Sequence, residues 1–194
     1  HWRDWSSDVC SSDLANSGNA EAVKLLAGRG AKVNAVETKK GQTALMWAAS
    51  EGHSDAVQVL LQHGADAKAV SKTGYSALLF ATAKNDVRSV KNLLEAGADP
   101  NTKLPDGSPA LVAAAAFRST AAGVALVESG ADVNVPDRRG STALHTAAQM
   151  GEVELVKKLL AKSADPNARN AKVPGVNSPN PFRPPAGEIT PLHV

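Results

Sequence analysis

Four aspartates fall on one stride: Asp66, Asp99, Asp132 and Asp165 stand 33 residues apart. Carboxylates gathered in a fold can divide general acid and base work between them, and His53, His63, His145 and His193 could add an imidazole base or a metal ligand. The stride argues against both chemistries. Each aspartate follows the end of a predicted helix, where its carboxylate accepts backbone hydrogen bonds in a turn, and a side chain that recurs with every module belongs to the scaffold. His53 and His63 flank one predicted helix and are read as solvated, and no histidine has a second ligand at a fixed spacing. The chain contains no GxGxxG, phosphate loop, nucleophile elbow or HExxH. No residue is therefore assigned to catalysis, to a cofactor or to a metal, and the chain is not expected to be an enzyme. Trp47 and Phe80 share one register position with Ala113 and Thr146 and are read as core packing, not as a ligand box.

The repeat is what positions these residues. Gly41-Gln42-Thr43-Ala44-Leu45, Gly74-Tyr75-Ser76-Ala77-Leu78, Gly107-Ser108-Pro109-Ala110-Leu111 and Gly140-Ser141-Thr142-Ala143-Leu144 keep the same 33-residue step. Gly64-Ala65-Asp66, Gly97-Ala98-Asp99, Gly130-Ala131-Asp132 and Ser163-Ala164-Asp165 follow them by 23 residues. Two marks locked to one period signal a repeat array. Apolar residues make up 43% of the 194, enough for a core, but aromatics only 4%, so alanine and leucine must build thin, closely stacked helix pairs. The formal charge of +2 selects no class of partner. No run of 18 apolar residues occurs, so no membrane-spanning segment is expected.

These phrases resemble those of the ankyrin repeat family, in which Thr-Pro-Leu-His opens the first helix of a repeat and Gly-Ala-Asp follows the second. Thr190-Pro191-Leu192-His193 matches the opening in full, and the likeness covers about residues 15–194. It implies an all-α ankyrin repeat solenoid of stacked helix-turn-helix repeats with protruding hairpin-like fingers. The register sets a partial repeat one at 15–40, repeat two at 41–73, repeat three at 74–106, repeat four at 107–139 and repeat five at 140–169. A Pro-rich insert follows at 170–187, and 188–194 open a sixth repeat that stops after one turn, so the parent chain is expected to continue. The imidazoles of His145 and His193 are implied to bridge loop backbone groups. Residues 1–14 break the register, and 3–14 resemble a translated sequencing adapter, so this segment and its Cys10 are set aside as an artefact. Removing Arg3, Asp4, Asp8 and Asp13 leaves 20 basic and 16 acidic residues, a net +4.

Local chemistry predicts the helix ends. Thr43 should cap the first helix of repeat two, with Leu45, Trp47, Ala48 and Ala49 on its inner side and Gly52 ending it in a left-handed conformation. Ser54 should cap the second helix, whose Val57, Leu60 and Leu61 form one buried face before Gly64 stops it. Repeat three assigns the same roles to Ser76, Leu78, Phe80, Val90, Leu93 and Leu94, with Asn85 for the terminal glycine. In repeat four Ser108 should cap one residue early, placing Pro109 at the first helical position. There Arg118 stands where glycine is expected, and Gly123 replaces an inward valine at a cost of roughly 1 kcal/mol relative to alanine. Repeat four should be the softest full repeat. In repeat five Ser163 takes the place of the glycine after the second helix.

The resemblance implies a non-enzymatic protein–protein interaction scaffold that needs no cofactor and binds through its fingers and concave first-helix face. The partner-contacting positions so implied are Lys39, Lys40, Gln42, Ser50, Glu51, Lys72, Thr73, Tyr75, Lys84, Asp106, Ser108, Phe117, Arg138, Arg139, Ser141, Gln149 and Met150. Fingertip cations at Lys39, Lys40, Lys72, Lys103, Arg138, Arg139, Arg169 and Lys172 would form a stripe suited to an acidic protein surface. Nucleic acid is disfavoured, since only Tyr75 interleaves with those charges. The insert, with Phe182-Arg183 between prolines, is either a linker or a binding segment. An alternative function is the targeting or regulatory arm of a larger enzyme or redox protein whose catalytic domain lies outside these residues.

Overall fold

The computed structural model describes residues 18–170 and 190–191. Among the described residues are nine helices: α1 (Ala20–Gly28), α2 (Ala44–Glu51), α3 (Ser54–Gln62), α4 (Ala77–Ala83), α5 (Val87–Glu95), α6 (Ala110–Ala116), α7 (Thr120–Glu128), α8 (Ala143–Met150) and α9 (Val153–Ala161). Their β structure is limited to isolated antiparallel bridges joining Val36 to Thr43, Val70 to Ser76 and Lys103 to Pro109. The fold is thus all-α, built from helical hairpins with fingers between them. The chain divides into two compact units, one through Asp99 with α1–α5 and one from Pro100 with α6–α9. The expected artefact at 1–14 lies outside the described residues. So do all but the first residue of the Pro-rich insert and all but Thr190 and Pro191 of the sixth repeat.

In the first unit α2 pairs with α3 and α4 with α5, while α2 packs on α4, α3 on α5 and α1 on α3. Leu45, Met46, Val57, Leu60, Leu78, Leu79, Val90 and Leu93 form the core. Each such side chain contributes roughly 1.5–3 kcal/mol by leaving water. Ala48, Ala49 and Ala81, which have no exposed surface, let the first helices approach closely.

Four inward assignments are corrected here. Met46 and Leu79 are buried, whereas Trp47 and Phe80 are only half-buried. At about 100° per residue, positions 45, 46, 48 and 49 share one arc of the helix and position 47 falls opposite it. Leu61 and Leu94 are likewise half-buried, at the edge of the face centred on Leu60 and Leu93.

The caps follow the sequence with one exception in this unit. Thr43 Oγ1 accepts from the Met46 amide at 3.3 Å, and Ser76 Oγ accepts from the Leu79 amide at 3.4 Å. Gly52 and Asn85 hold the left-handed conformation with φ of 79° and 56°. Ser54 is not a cap: His53 holds the cap position of α3 with no side-chain hydrogen bond to the helix start, and Ser54 is the first helical residue. The left-handed turn at Gly52 leaves only His53 as the half-helical residue, and the Ser54 amide donates to the Gly52 carbonyl at 3.1 Å.

In the second unit α6 pairs with α7 and α8 with α9, with α6 packed on α8 and α7 on α9. Pro109 is not the first helical residue, as its cap position and extended φ and ψ of −60° and 145° show. It occupies the bridge position held by Thr43 and Ser76 elsewhere, so the finger register overrides the early serine, and α6 starts without a side-chain cap. Arg118 and Ser163 take the glycine-like conformation with φ of 56° and 63°. Gly123 is buried, and a Cβ there would lie 3.2 Å from both methyls of Leu155 and 3.4 Å from Ala114 Cβ. Leu155, itself fully buried, fills the space that the missing valine leaves.

Candidate partner-binding face

The fingers are built from turns in which side chains cap backbone amides. Asp66, Asp132 and Asp165 each accept from the amide two residues on, at 2.8 to 2.9 Å, which gives the recurring aspartates the scaffold role their stride implied. His145 is buried, and its Nδ1 meets the Thr142 amide at 3.3 Å and the Thr142 hydroxyl at 3.0 Å, forming a reciprocal cap at the start of α8.

A second set of stitches was missed at the sequence level. Asn34 Nδ2 donates to the Gly64 carbonyl at 2.9 Å while its Oδ1 accepts from the Asp66 amide at 2.8 Å. Asn134 makes the same pair of bonds to Ser163 and Asp165, and Asn101 accepts from Asp132. These asparagines sit four residues after Gly30, Gly97 and Gly130, a periodic signal as regular as Gly-Ala-Asp. At the corresponding place after Gly64 stands Lys68, whose ammonium cannot accept a hydrogen bond.

Long cations also tie finger to finger. The Lys72 amide donates to the Lys40 carbonyl at 2.9 Å and its Nζ to the Thr38 carbonyl at 2.6 Å, while its stem lies over Gly41, where a Cβ would come within 2.8 Å. In the second unit the Arg138 guanidinium lies over Gly107, 3.1 Å from where a Cβ would be. Desolvation, the largest single influence, pushes the Glu37 carboxyl up, but hydrogen bonds from the Lys39, Lys40 and Gln42 amides and the charge of Lys72 together outweigh it and hold the pKa below the ordinary value. Hydrogen bonds from the Ser108 backbone and side chain, aided by Arg138 against desolvation, lower Asp106 in the same way.

Of the expected contact residues, Lys39, Lys40, Glu51, Lys72, Thr73, Lys84, Asp106, Phe117, Arg138, Arg139 and Gln149 are exposed. Ser50, Tyr75, Ser108, Ser141 and Met150 are half-buried. Gln42 is a correction: it is 8% exposed, and its Oε1 is enclosed without a partner among the described residues. Tyr75 stacks on Phe80 with ring centroids 5.5 Å apart, and the enclosed Nε1 of half-buried Trp47 has no partner among the described residues. Val36 and Val70, which sequence reasoning passed over, are exposed on their fingers.

Among the described residues no group of three or more His, Cys, Asp or Glu side chains is placed to hold a metal ion. No helix there is long and apolar enough to cross a membrane. A search of curated proteins returned no match. The family model described as "Ankyrin repeats (3 copies)" matches residues 12–104 and again 78–170, most of the chain, and the chain belongs to the ankyrin repeat family.

Proposed function

We propose that this chain is a protein–protein interaction scaffold that holds its partner on the finger tips and on the exposed positions of the first helices, and performs no reaction of its own. Ankyrin repeats are in general protein–protein interaction modules, and the family is typically non-catalytic. The observation that carries the reading is the placement of large apolar side chains where the core does not use them. Phe117 at the end of α6 is 55% exposed, and Val36 and Val70 stand out from the fingers. Together with Tyr75 and Arg139 they supply the aromatic, aliphatic and guanidinium anchors that interface centres favour.

The test uses a displayed library of folded domains and peptides selected on the protein. A combined Tyr75→Ala, Phe117→Ala and Arg139→Ala variant should lose capture of the selected binders while its helical circular dichroism is kept. Undiminished capture by that variant would rule out these positions.

A further inference from the structure

We infer that the partner segment is acidic with interspersed apolar side chains, and that it docks on the fingers and first helices of the unit through Asp99. This rests on the interaction reading above and gives it a place and a chemistry. Charge is the first argument. Residues 30–42 and 64–75 hold Lys32, Lys39, Lys40, Lys68 and Lys72 against only Glu37 and Asp66. Both carboxylates are turned into their own loops, Glu37 onto the amides of Lys39, Lys40 and Gln42, and Asp66 onto that of Lys68. The surface left facing outward is cationic, and among the described residues Lys39 and Lys40 form no ion pair. The finger residues of the other unit, 100–109, 130–141 and 163–170, set four cations against four carboxylates, which also accept from amides of their own loops, so the contrast that counts is the net charge, an excess of three cations against none.

On the fingers, apolar surface follows the same division, although Phe117 at the end of α6 is exposed in the other unit. Val36 and Val70 hold one finger position and are 51% and 60% exposed, while that position is Lys103, Pro136 and Arg169 in the other unit. On the first helices half-buried Trp47 and Phe80, with Tyr75 stacked alongside, correspond to Ala113, Thr146 and the serines Ser108 and Ser141. An apolar and aromatic centre rimmed by lysines complements carboxylates set around aliphatic side chains. Nucleic acid offers Val36 and Val70 little aliphatic surface beyond thymine methyls and sugar C–H groups, so a protein segment fits better than a polyanion.

The test is selection of a random dodecapeptide display library on the whole chain, followed by anisotropy titrations of the recovered peptides. Recovered peptides should combine Asp or Glu with apolar residues, and should weaken with added salt. Lys39→Glu with Lys40→Glu, and separately Val36→Ser with Val70→Ser, should each reduce affinity roughly tenfold or more. Lys91→Glu with Lys162→Glu, the same charge change on second-helix surfaces, should leave it within about twofold. Peptides without acidic residues, or no recovered peptide at all, would overturn the inference. So would lysine-dependent binding to single-stranded DNA or phosphatidylserine vesicles with no acidic peptide recovered. Binding lost on Arg138→Glu with Arg139→Glu but indifferent to the lysine variant would move the site to the other unit, sinking this inference while the interaction function stands.

Discussion

In the unit through Asp99 the second helices read Ala56-Val57 and Ser89-Val90 at their buried positions, and the first helices carry Trp47 and Phe80 toward solvent. In the unit from Pro100 the same register positions read Ala122-Gly123 and Leu155-Val156, with Val156 only half-buried, and buried Ala113 and half-buried Thr146 stand in the place of Trp47 and Phe80. One unit therefore keeps its interior regular and sets aromatic rings at that first-helix position, while the other varies its interior and holds small side chains there. The difference teaches that the stride specifies only a summed volume between neighbouring helices. Which side chain supplies that volume is left open, and so is the chemistry of the outward positions.

The interior contrast gives the largest expected effect. Gly123→Val would press a branched side chain onto both methyls of Leu155 and should cost about 1–3 kcal/mol. Leu155→Ala would empty a fully buried site beside a glycine and should cost about 2–5 kcal/mol. The combined variant restores the arrangement of Val57 and Ser89, a medium side chain facing a small one, and should be more stable than either single change. A double-mutant cycle from urea unfolding should show a coupling of about 2 kcal/mol. Simple additivity of the two losses would mean that glycine and leucine do not compensate each other.

This pair also marks the limit of what the residue order makes legible. Helix ends were legible because each repeat restates them: Thr43 and Ser76 cap, and Gly52, Asn85, Arg118 and Ser163 all take the left-handed turn that the register assigns to them. The partner of Gly123 stands 32 residues away in another module, so the glycine alone looked like lost packing. The outward face of Trp47 was hidden for another reason. In Ala44-Leu45-Met46-Trp47-Ala48-Ala49 every side chain is apolar, so no polar face orients a helix of two turns. The asparagine stitches were marked by the period of Asn34, Asn101 and Asn134, but their partners are backbone groups, which leave no mark in residue type. In the candidate face eleven of the expected residues are exposed, five, Tyr75 and Met150 among them, are half-buried and Gln42 is buried; the charge division was not legible, because the cations were read without the acids beside them.

Smaller changes sharpen the contrast at helix ends and fingers. Arg118→Gly relieves a left-handed residue and should stabilise the second unit by about 1 kcal/mol, read from the urea midpoint. Because α6 also lacks a side-chain cap, its amides should exchange faster than those of α2 and α4, and slower exchange there would remove the claim that repeat four is softest. Asn134→Ala leaves the Asp165 amide and the Ser163 carbonyl to water and should cost about 1 kcal/mol. Lys68→Asn should supply the corresponding stitch and gain about 0.5–1 kcal/mol, bringing that finger into line with the others. A loss on Lys68→Asn would show that the lysine has a structural role of its own.

The smallest expected effect is in acid. Glu37 and Asp106 both have folded-state pKa values below the ordinary carboxylate value, so each contributes stability that is complete above its unfolded pKa and fades as pH falls through the folded one. The two differ in what depends on them. Glu37 draws three amides of its own finger around one carboxylate beside Lys72, whereas Asp106 serves the short turn to Ser108 beside Arg138. Acidification should therefore shift the Lys39 and Lys40 amide resonances together, as one turn loosens, with a midpoint below that of a free glutamate. Glu37→Gln should remove that acid step from the first unit and leave the Ser108 amide of the second unit titrating as before. A midpoint at or above the free glutamate value would mean that desolvation, not the amides, governs this carboxyl.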